Sequence, residues 1–385
     1  MAEMASCSNP GCTEPGLHKC GACKTTPYCG IKCQTDDWPS HKESCPGHLR
    51  KIGTAGLEKA KGFLRQRNLV QALKHCNLAL TKLKLLTKDR PLEAISDALR
   101  FKCDSLGKMG RFKEDLECTR EWYNLWAMER GPAHPRTIDA AFSLIESLVF
   151  NEEWDQAELF ARTLWEILNS SNHHFEEDRI PDDKRQMFLA RGAVEYARAT
   201  WLLARAGGIP PEKKQNRGEE AIALARRALE IYTQLHGTES SEVANTMDFV
   251  ANALDYFNDV DDIEVIRLYE RSLAICARME GITSLNFAIG EYNLGNSYFK
   301  RADRAQNAND LDRELANLEL GLPHFREAAR VFKAINITDR SDDAEQRVAE
   351  GEKTLRETRI IRASSSSSSS AAAATTASTT TTTTG

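Results

Sequence analysis

The sequence predicts an all-α fold, a solenoid of about six stacked helix pairs behind a small cysteine-rich N-terminal module. Three observations carry this reading. From about residue 52 onward the apolar residues follow the 3.6-residue period of amphipathic helices, without strand-rich segments. Stretches of this helical part resemble one another at a spacing of roughly 40 residues, the mark of a repeat architecture. Seven of the eleven cysteines fall in the first 45 residues, where few large apolar side chains accompany them.

Composition removes several function classes. At 385 residues the chain is too long for one ordinary core. Its net charge of −5 is spread as interspersed Lys, Arg, Asp and Glu, so there is neither a broad basic face for nucleic acid nor a polybasic membrane anchor. No stretch of 18 apolar residues occurs, and "MAEMASCSNPGC" lacks a basic segment followed by an apolar run. A cytoplasmic or nuclear protein is expected. Thiols stay reduced in those compartments, so a dense cysteine cluster there points to metal rather than disulfides.

Residues 1–50 form the first element. Their candidate ligands run Cys7-x4-Cys12-x7-Cys20-x2-Cys23-x5-Cys29-x3-Cys33-x7-His41-x3-Cys45, eight donors for two tetrahedral sites. Zinc is the expected cofactor, two ions per chain, because it accepts thiolate and imidazole and takes four such ligands in structural sites. Energetics agree. Leu17, Tyr28, Ile31, Trp38 and Leu49 are most of the large apolar side chains in this stretch, whereas ordering a residue costs roughly 1–2 kcal/mol. A structural zinc contributes on the order of 10–16 kcal/mol. Both sites can be filled completely, one by four cysteines and one by three cysteines and a histidine, leaving no open position for a reacting water. His18 reads as a surface histidine. Spacing alone allows sequential as well as crossed pairing of the ligands.

The motif Tyr28-Cys29, Cys33-Gln34, Asp37-Trp38, His41-Lys42 and Cys45 resembles the MYND-type zinc finger. One departure is the four-residue gap between Cys7 and Cys12, where the commonest family form has two. The resemblance implies crossed ligation, with Cys7, Cys12, Cys29 and Cys33 on one zinc and Cys20, Cys23, His41 and Cys45 on the other. It also implies binding of short proline-containing peptides, with Gln34 and Trp38 as contact residues; Trp38 can equally cover the second zinc site. Residues 1–50 hold five basic and five acidic side chains, so seven thiolates against two Zn2+ leave about −3. A finger that reads DNA should be basic; this one suits protein partners.

Residues 51–340 form the second element. Repeats are visible in "HPRTIDAAFSLIESLVFNEEWDQAELFARTLWEIL" from His134, "SSEVANTMDFVANALDYFNDVDDIEVIRLYERSLAI" from Ser240 and "SLNFAIGEYNLGNSYFKRA" from Ser284. Each begins with helix-start residues, runs about four turns and continues as a second helix. Further pairs lie around Leu69, Ala72, Leu73, Cys76, Ala79 and Leu83; across residues 92–128, broken by Gly107 and Gly110; and across residues 184–235, broken by Gly207, Gly208, Pro210 and Pro211. A helix pair cannot bury its apolar face alone, so neighbours stack. Small residues are needed at the crossings: Ala72, Ala79, Ala157, Ala221, Ala228 and Ser272. Cys76, Cys103, Cys118 and Cys276 are assigned to the core.

This pattern, with Leu294, Gly295 and Tyr298 as its best match, resembles tetratricopeptide repeats of the kinesin light chain type. Asp115 departs from it, standing where a small residue is usual, and "DRAQNANDLDRELANLELG" inserts residues between the last two helices. The resemblance implies a concave groove for an extended peptide, with Asn252 and Asn296 facing it. A terminal capping helix is expected over residues 341–363, opened by Ser341. Residues 364–385, a Ser/Ala/Thr tail without charge or aromatics, are expected to be disordered.

Two interaction modules and no catalytic constellation predict a non-enzymatic protein adaptor. Its finger would bind short peptide segments and its groove a second protein partner, with no small-molecule substrate and no membrane. The alternatives are a relative of the SMYD-type lysine methyltransferases that lacks the SET domain and has lost catalysis, and, less favoured, a nucleic-acid-binding regulator. The "SNHHF" stretch at residues 171–175 reads as a polar loop rather than a cofactor motif.

Overall fold

The computed structural model describes residues 5–170, 181–257 and 263–378, with side chains as far as residue 364. The chain divides into two compact units, Met1–Ile180 and Pro181–Gly385. The "SNHHF" stretch and the acidic break after Phe257 lie outside the described residues.

Unit 1 opens with a two-residue hairpin, β1 (His18–Lys19) antiparallel to β2 (Pro27–Tyr28), followed by α1 (Ile31–His41). Three helix pairs follow: α2 (Pro46–Arg65) with α3 (Leu69–Leu83), α4 (Leu92–Lys108) with α5 (Phe112–Arg130), and α6 (Pro135–Phe150) with α7 (Trp154–Asn169). Unit 2 holds α8 (Asp182–Arg205) with α9 (Pro211–His236), α10 (Ser241–Phe257) with α11 (Ile263–Met279), α12 (Leu285–Asn307) with α13 (Leu311–Ala334), and then α14 (Thr338–Ser378), packed on α13. These are the six expected pairs. The expected boundary at residue 50 falls inside α2, so no linker separates the finger from the first pair.

Local chemistry explains the helix ends. The Asn68 side chain accepts from the Gln71 amide, Ser240 from Val243, Ser284 from Phe287 and Asp310 from Arg313, each at 3.1–3.3 Å; these bonds satisfy amides that have no partner within the helix. Gly131 and Gly237 take φ +85° and +79° just after α5 and α9, a conformation that costs glycine little. All six predicted small residues are fully buried at helix crossings. Leu294 and Tyr298 are buried, and a Cβ at Gly295 would lie 3.1 Å from the Phe325 ring. The core of unit 1 runs from Leu49 and Leu57 through Leu83, Leu99 and Leu106 to Trp122 and Trp126. Both indole N–H groups donate to the Ser96 hydroxyl, at 2.9 and 2.8 Å. Cys76, Cys103, Cys118 and Cys276 are all buried.

Four expectations need correcting. Ser341 does not open the last helix, which begins at Thr338; it is a buried hydroxyl one turn in, donating to the Ala329 carbonyl at 3.3 Å. The insertion before α13 is taken up as extra helical length rather than as a loop, since α12 and α13 have 23 and 24 residues against 17 each in α10 and α11. Gly107 lies within α4 and only Gly110, at φ +71°, turns the chain. The helix α14 continues through the expected tail to Ser378, where alanines, the best helix formers, follow the serine run.

Candidate functional site

The N-terminal module brings its eight candidate ligands into two groups. The donor atoms of Cys7, Cys12, Cys29 and Cys33 lie within 4.8 Å of one another, and so do those of Cys20, Cys23, His41 and Cys45. Sequential pairing is thereby excluded, and the hairpin is the reason. Cys20 follows β1 and Cys29 follows β2, so the antiparallel pairing carries the Cys29–Cys33 pair back to the Cys7–Cys12 loop. The Cys7 amide bonds to the Glu14 carbonyl and the Ser8 amide to the Pro27 carbonyl, each at 2.9 Å, which fixes that loop against β2. The helix α1 spaces Cys33 from His41 by two turns, and Cys45 sits at the cap position of α2.

The donors fit zinc by distance as well as by type. Zn–S bonds of about 2.3 Å in a tetrahedron place sulfurs about 3.8 Å apart, and a mixed Zn–S and Zn–N edge is about 3.6 Å. Cys12 and Cys29 sulfurs stand 3.7 Å apart, Cys29 and Cys33 3.4 Å, and Cys23 Sγ lies 3.6 Å from His41 Nε2. A disulfide would need about 2.05 Å, and all seven of these cysteines are free. The two clusters fit two zinc ions, each with four protein ligands.

Around them, the fully buried Tyr28 donates from its hydroxyl to Asp37 Oδ2 at 2.6 Å, tying β2 to α1. Burial, reinforced by the Asp37 carboxylate, pushes the phenol up, so it remains a donor. Gln34 Nε2 donates to Cys20 Sγ at 3.8 Å, so its amide supports a ligand of the second cluster. Trp38 is half-buried, with its ring edge-on to His41 at 6.0 Å and to His48 at 5.1 Å. It therefore covers the second cluster. His18 is exposed on β1 and belongs to neither group.

A second feature is a groove over α2, α4 and α6, the first helices of their pairs. A cavity of about 490 Å³ lies between α2 and α4 and one of about 360 Å³ between α4, α5 and α6, and a third of about 500 Å³ adjoins the second at the start of α5 and the end of α6. The first two share Arg100 and Asp104, and the last two share Phe112 and Phe150, whose rings stack at 5.1 Å. Asp115 explains its departure from the repeat pattern here. It is buried at the floor, accepting from the Ser147 hydroxyl at 2.5 Å and from Thr119 at 3.4 Å. Burial pushes its carboxyl up against the lowering effect of these two hydroxyls.

Asn252 and Asn296 lie on first helices of unit 2, α10 and α12, and both are half-buried. The Asn252 amide donates to the carbonyl of Asp248 one turn earlier, at 2.8 Å. Asn296 hydrogen-bonds with Tyr292. Each stands twelve residues after its capping serine, Ser240 or Ser284, and Glu146 stands twelve after His134. Glu146 lines the unit 1 groove. Sequence reasoning missed Glu146 and Asp115 as groove residues, although this shared register was a signal for the first.

Comparisons with known proteins follow the same division. Residues 5–45 match the family model described as MYND finger. Human N-lysine methyltransferase SMYD2 is 57% identical over 30 residues, 8% of this chain and 7% of that protein. Tudor domain-containing protein 1 of Oryzias latipes is 44% identical over 34 residues, 9% of this chain and 3% of that one. The chain thus spans less than a tenth of the length of these relatives, and the SMYD2 likeness covers the finger only. Among solved structures, the apo form of RapI aligns with TM-score 0.50 and 12% identity over 79% of this chain and 99% of that one, a likeness of fold alone. Kinesin light chain TPR-like repeats from Podosopora anserina align at TM-score 0.41 and 16% identity over 60% and 96%, too low to carry an inference. By ligand geometry and family match together, the N-terminal module is a MYND finger with two zinc sites, built onto TPR-like helix pairs.

Proposed function

We propose that this protein is a non-enzymatic adaptor, in which the zinc finger binds a short peptide segment and the helical groove binds a second protein partner. The observation that carries it is the joint presence of a finger with two four-ligand clusters and a groove of adjoining cavities that reaches from α2 across α4 to α5 and α6. Four protein ligands per zinc suit a structural ion, since catalytic zinc keeps a position for water. The stacked Phe112 and Phe150 rings give the groove an apolar platform, and the charges around it are of both signs. Reduced thiols for zinc suit a cytoplasmic or nuclear protein. Nucleic acid is disfavoured by the charge balance.

Trp38→Ala in the finger and Phe150→Ala in the groove test the proposal by affinity capture. Each variant should lose a different subset of captured proteins while keeping two zinc ions and full helicity. A captured set that neither substitution alters would overturn the adaptor reading. Titration with S-adenosylmethionine separates the methyltransferase-relative alternative, because saturable binding of that molecule would favour it.

A further inference from the structure

Two of the buried cysteines outside the finger form a pair. Cys103 on α4 and Cys118 on α5 place their sulfurs 3.0 Å apart. A disulfide spans about 2.05 Å, so an approach of about 1 Å separates these thiols from a covalent bond. The Cys103 thiol donates to Cys118 Sγ and the Cys118 thiol to the Leu99 carbonyl at 3.6 Å, while the Thr119 hydroxyl, which donates to the Asp115 carbonyl at 2.8 Å, lies 3.4 Å from Cys103 Sγ. Cys103 also lines the cavity of about 360 Å³ in the groove, whereas Cys118 lies behind it.

We propose that Cys103 and Cys118 are a redox modification site, in which Cys103 meets a small peroxide entering from the groove and Cys118 resolves it to an intramolecular disulfide. The Cys103 sulfur attacks one oxygen of hydrogen peroxide, the O–O bond breaks, and the departing hydroxide takes up the thiol proton as water. The Cys118 sulfur then attacks the resulting sulfenic acid, the S–S bond forms, the S–O bond breaks and a second water leaves. Two thiols are oxidised, one peroxide is reduced, and α4 becomes joined to α5 in the groove wall. The adjacent Cys118 thiol and burial hold Cys103 protonated, its pKa well above the ordinary thiol range, so its reaction with peroxide is slow.

The sequence makes the test direct, because trypsin cuts after Lys102, Lys108, Lys113 and Arg120 and releases fragments 103–108 and 114–120 with one cysteine each. Zinc-loaded full-length protein is exposed to hydrogen peroxide, alkylated, digested without reductant and mapped by mass spectrometry, with zinc release followed in parallel. The expected product is the two fragments joined, lighter by two hydrogens than their sum, formed while zinc is retained and lost on adding dithiothreitol. The unfolding midpoint should rise on oxidation and fall back on reduction. Cys118→Ser should leave Cys103 as a sulfenic acid trapped by dimedone. Recovery of both fragments fully alkylated, or joining only after zinc has been released, would overturn the assignment, and the wild-type map decides even if a variant fails to fold.

Discussion

Gly47 offers the most discriminating test of the finger's architecture. It stands in the first turn of α2, where a Cβ would lie 2.0 Å from the Ala22 carbonyl oxygen, 2.5 Å from its carbon and 3.0 Å from the Cys23 amide nitrogen. Real Cβ atoms do not come closer than 3.0 Å, and the obstructing atoms are backbone, so Gly47→Ala must drive the Ala22–Cys23 segment back by about 1 Å. Zinc ligands tolerate displacements of about 0.2 Å. Against this, replacing glycine by alanine in a helix gains at most about 1 kcal/mol. Disturbing even the outer support of a zinc site costs roughly 10- to 100-fold in affinity, about 1.4–2.8 kcal/mol, and here a ligand's own backbone moves, so the clash wins. Competitive chelator titration should show the second site weakened by at least that factor while the Cys7, Cys12, Cys29 and Cys33 site is unchanged. Gly21→Ala is the control, since its Cβ would meet nothing nearer than Gln34 Nε2 at 4.0 Å. Two equally tight zinc ions in Gly47→Ala would refute the reasoning.

Zinc content should fall from two ions to one in Cys20→Ser, and likewise in Cys7→Ser; elemental analysis reads both, and a second ion retained in Cys7→Ser would remove that residue from the ligand set. Phe325 is fully buried, 4.8 Å from the Phe299 ring and 5.5 Å from that of Tyr292, so Phe325→Ala should cost about 3–5 kcal/mol. Denaturant unfolding that shows a loss below about 1 kcal/mol would contradict this packing. Burial pushes the Asp248 carboxyl up to about 7, against the lowering effect of the Ser272 hydroxyl. A folded pKa above the unfolded one means that this group's stabilising contribution is complete below the ordinary carboxyl value of 3.8 and is lost as pH climbs toward 7. Asp248→Asn should therefore become more stable relative to wild type by on the order of a few kcal/mol across that window, and a stability difference that does not change with pH would argue against a buried acid.

The helix pairs were legible because amphipathic period, capping residues and small crossing residues are all local signals. Ala72, Ala79 and Ser272 were placed correctly from sequence since nothing larger fits where helices meet. Ser341 was misplaced because a serine that caps a helix and one that buries its hydroxyl against a neighbouring helix look alike in sequence; only the packing of α14 on α13 distinguishes them. Ligand identity in the finger was equally plain, whereas ligand pairing depends on the β1–β2 hairpin, a structure of two residues per strand with no periodic signature. Spacing left pairing open and the family resemblance supplied it. Asp115 was noticed as an oddity, but that it joins Ser147 at a groove floor depends on a contact spanning 32 residues.

The helix α2 bears on how the proposed adaptor would work. A finger on a flexible linker would add affinity through an effective concentration set by linker length. Here Cys45 caps α2, Leu49 one turn later belongs to the repeat core, and Leu57, Lys61 and Arg65 on the same helix line the groove. At about 1.5 Å per residue, the twelve residues from Cys45 to Leu57 hold the second zinc cluster about 18 Å from the start of the groove. Stretching α2 would break its hydrogen bonds, so this distance is a property of the fold. A partner that engages both surfaces must carry two segments separated by at least that span. Under the proposed function, one with a shorter spacer would gain nothing from the second site, so geometry would select partners before any side-chain contact does.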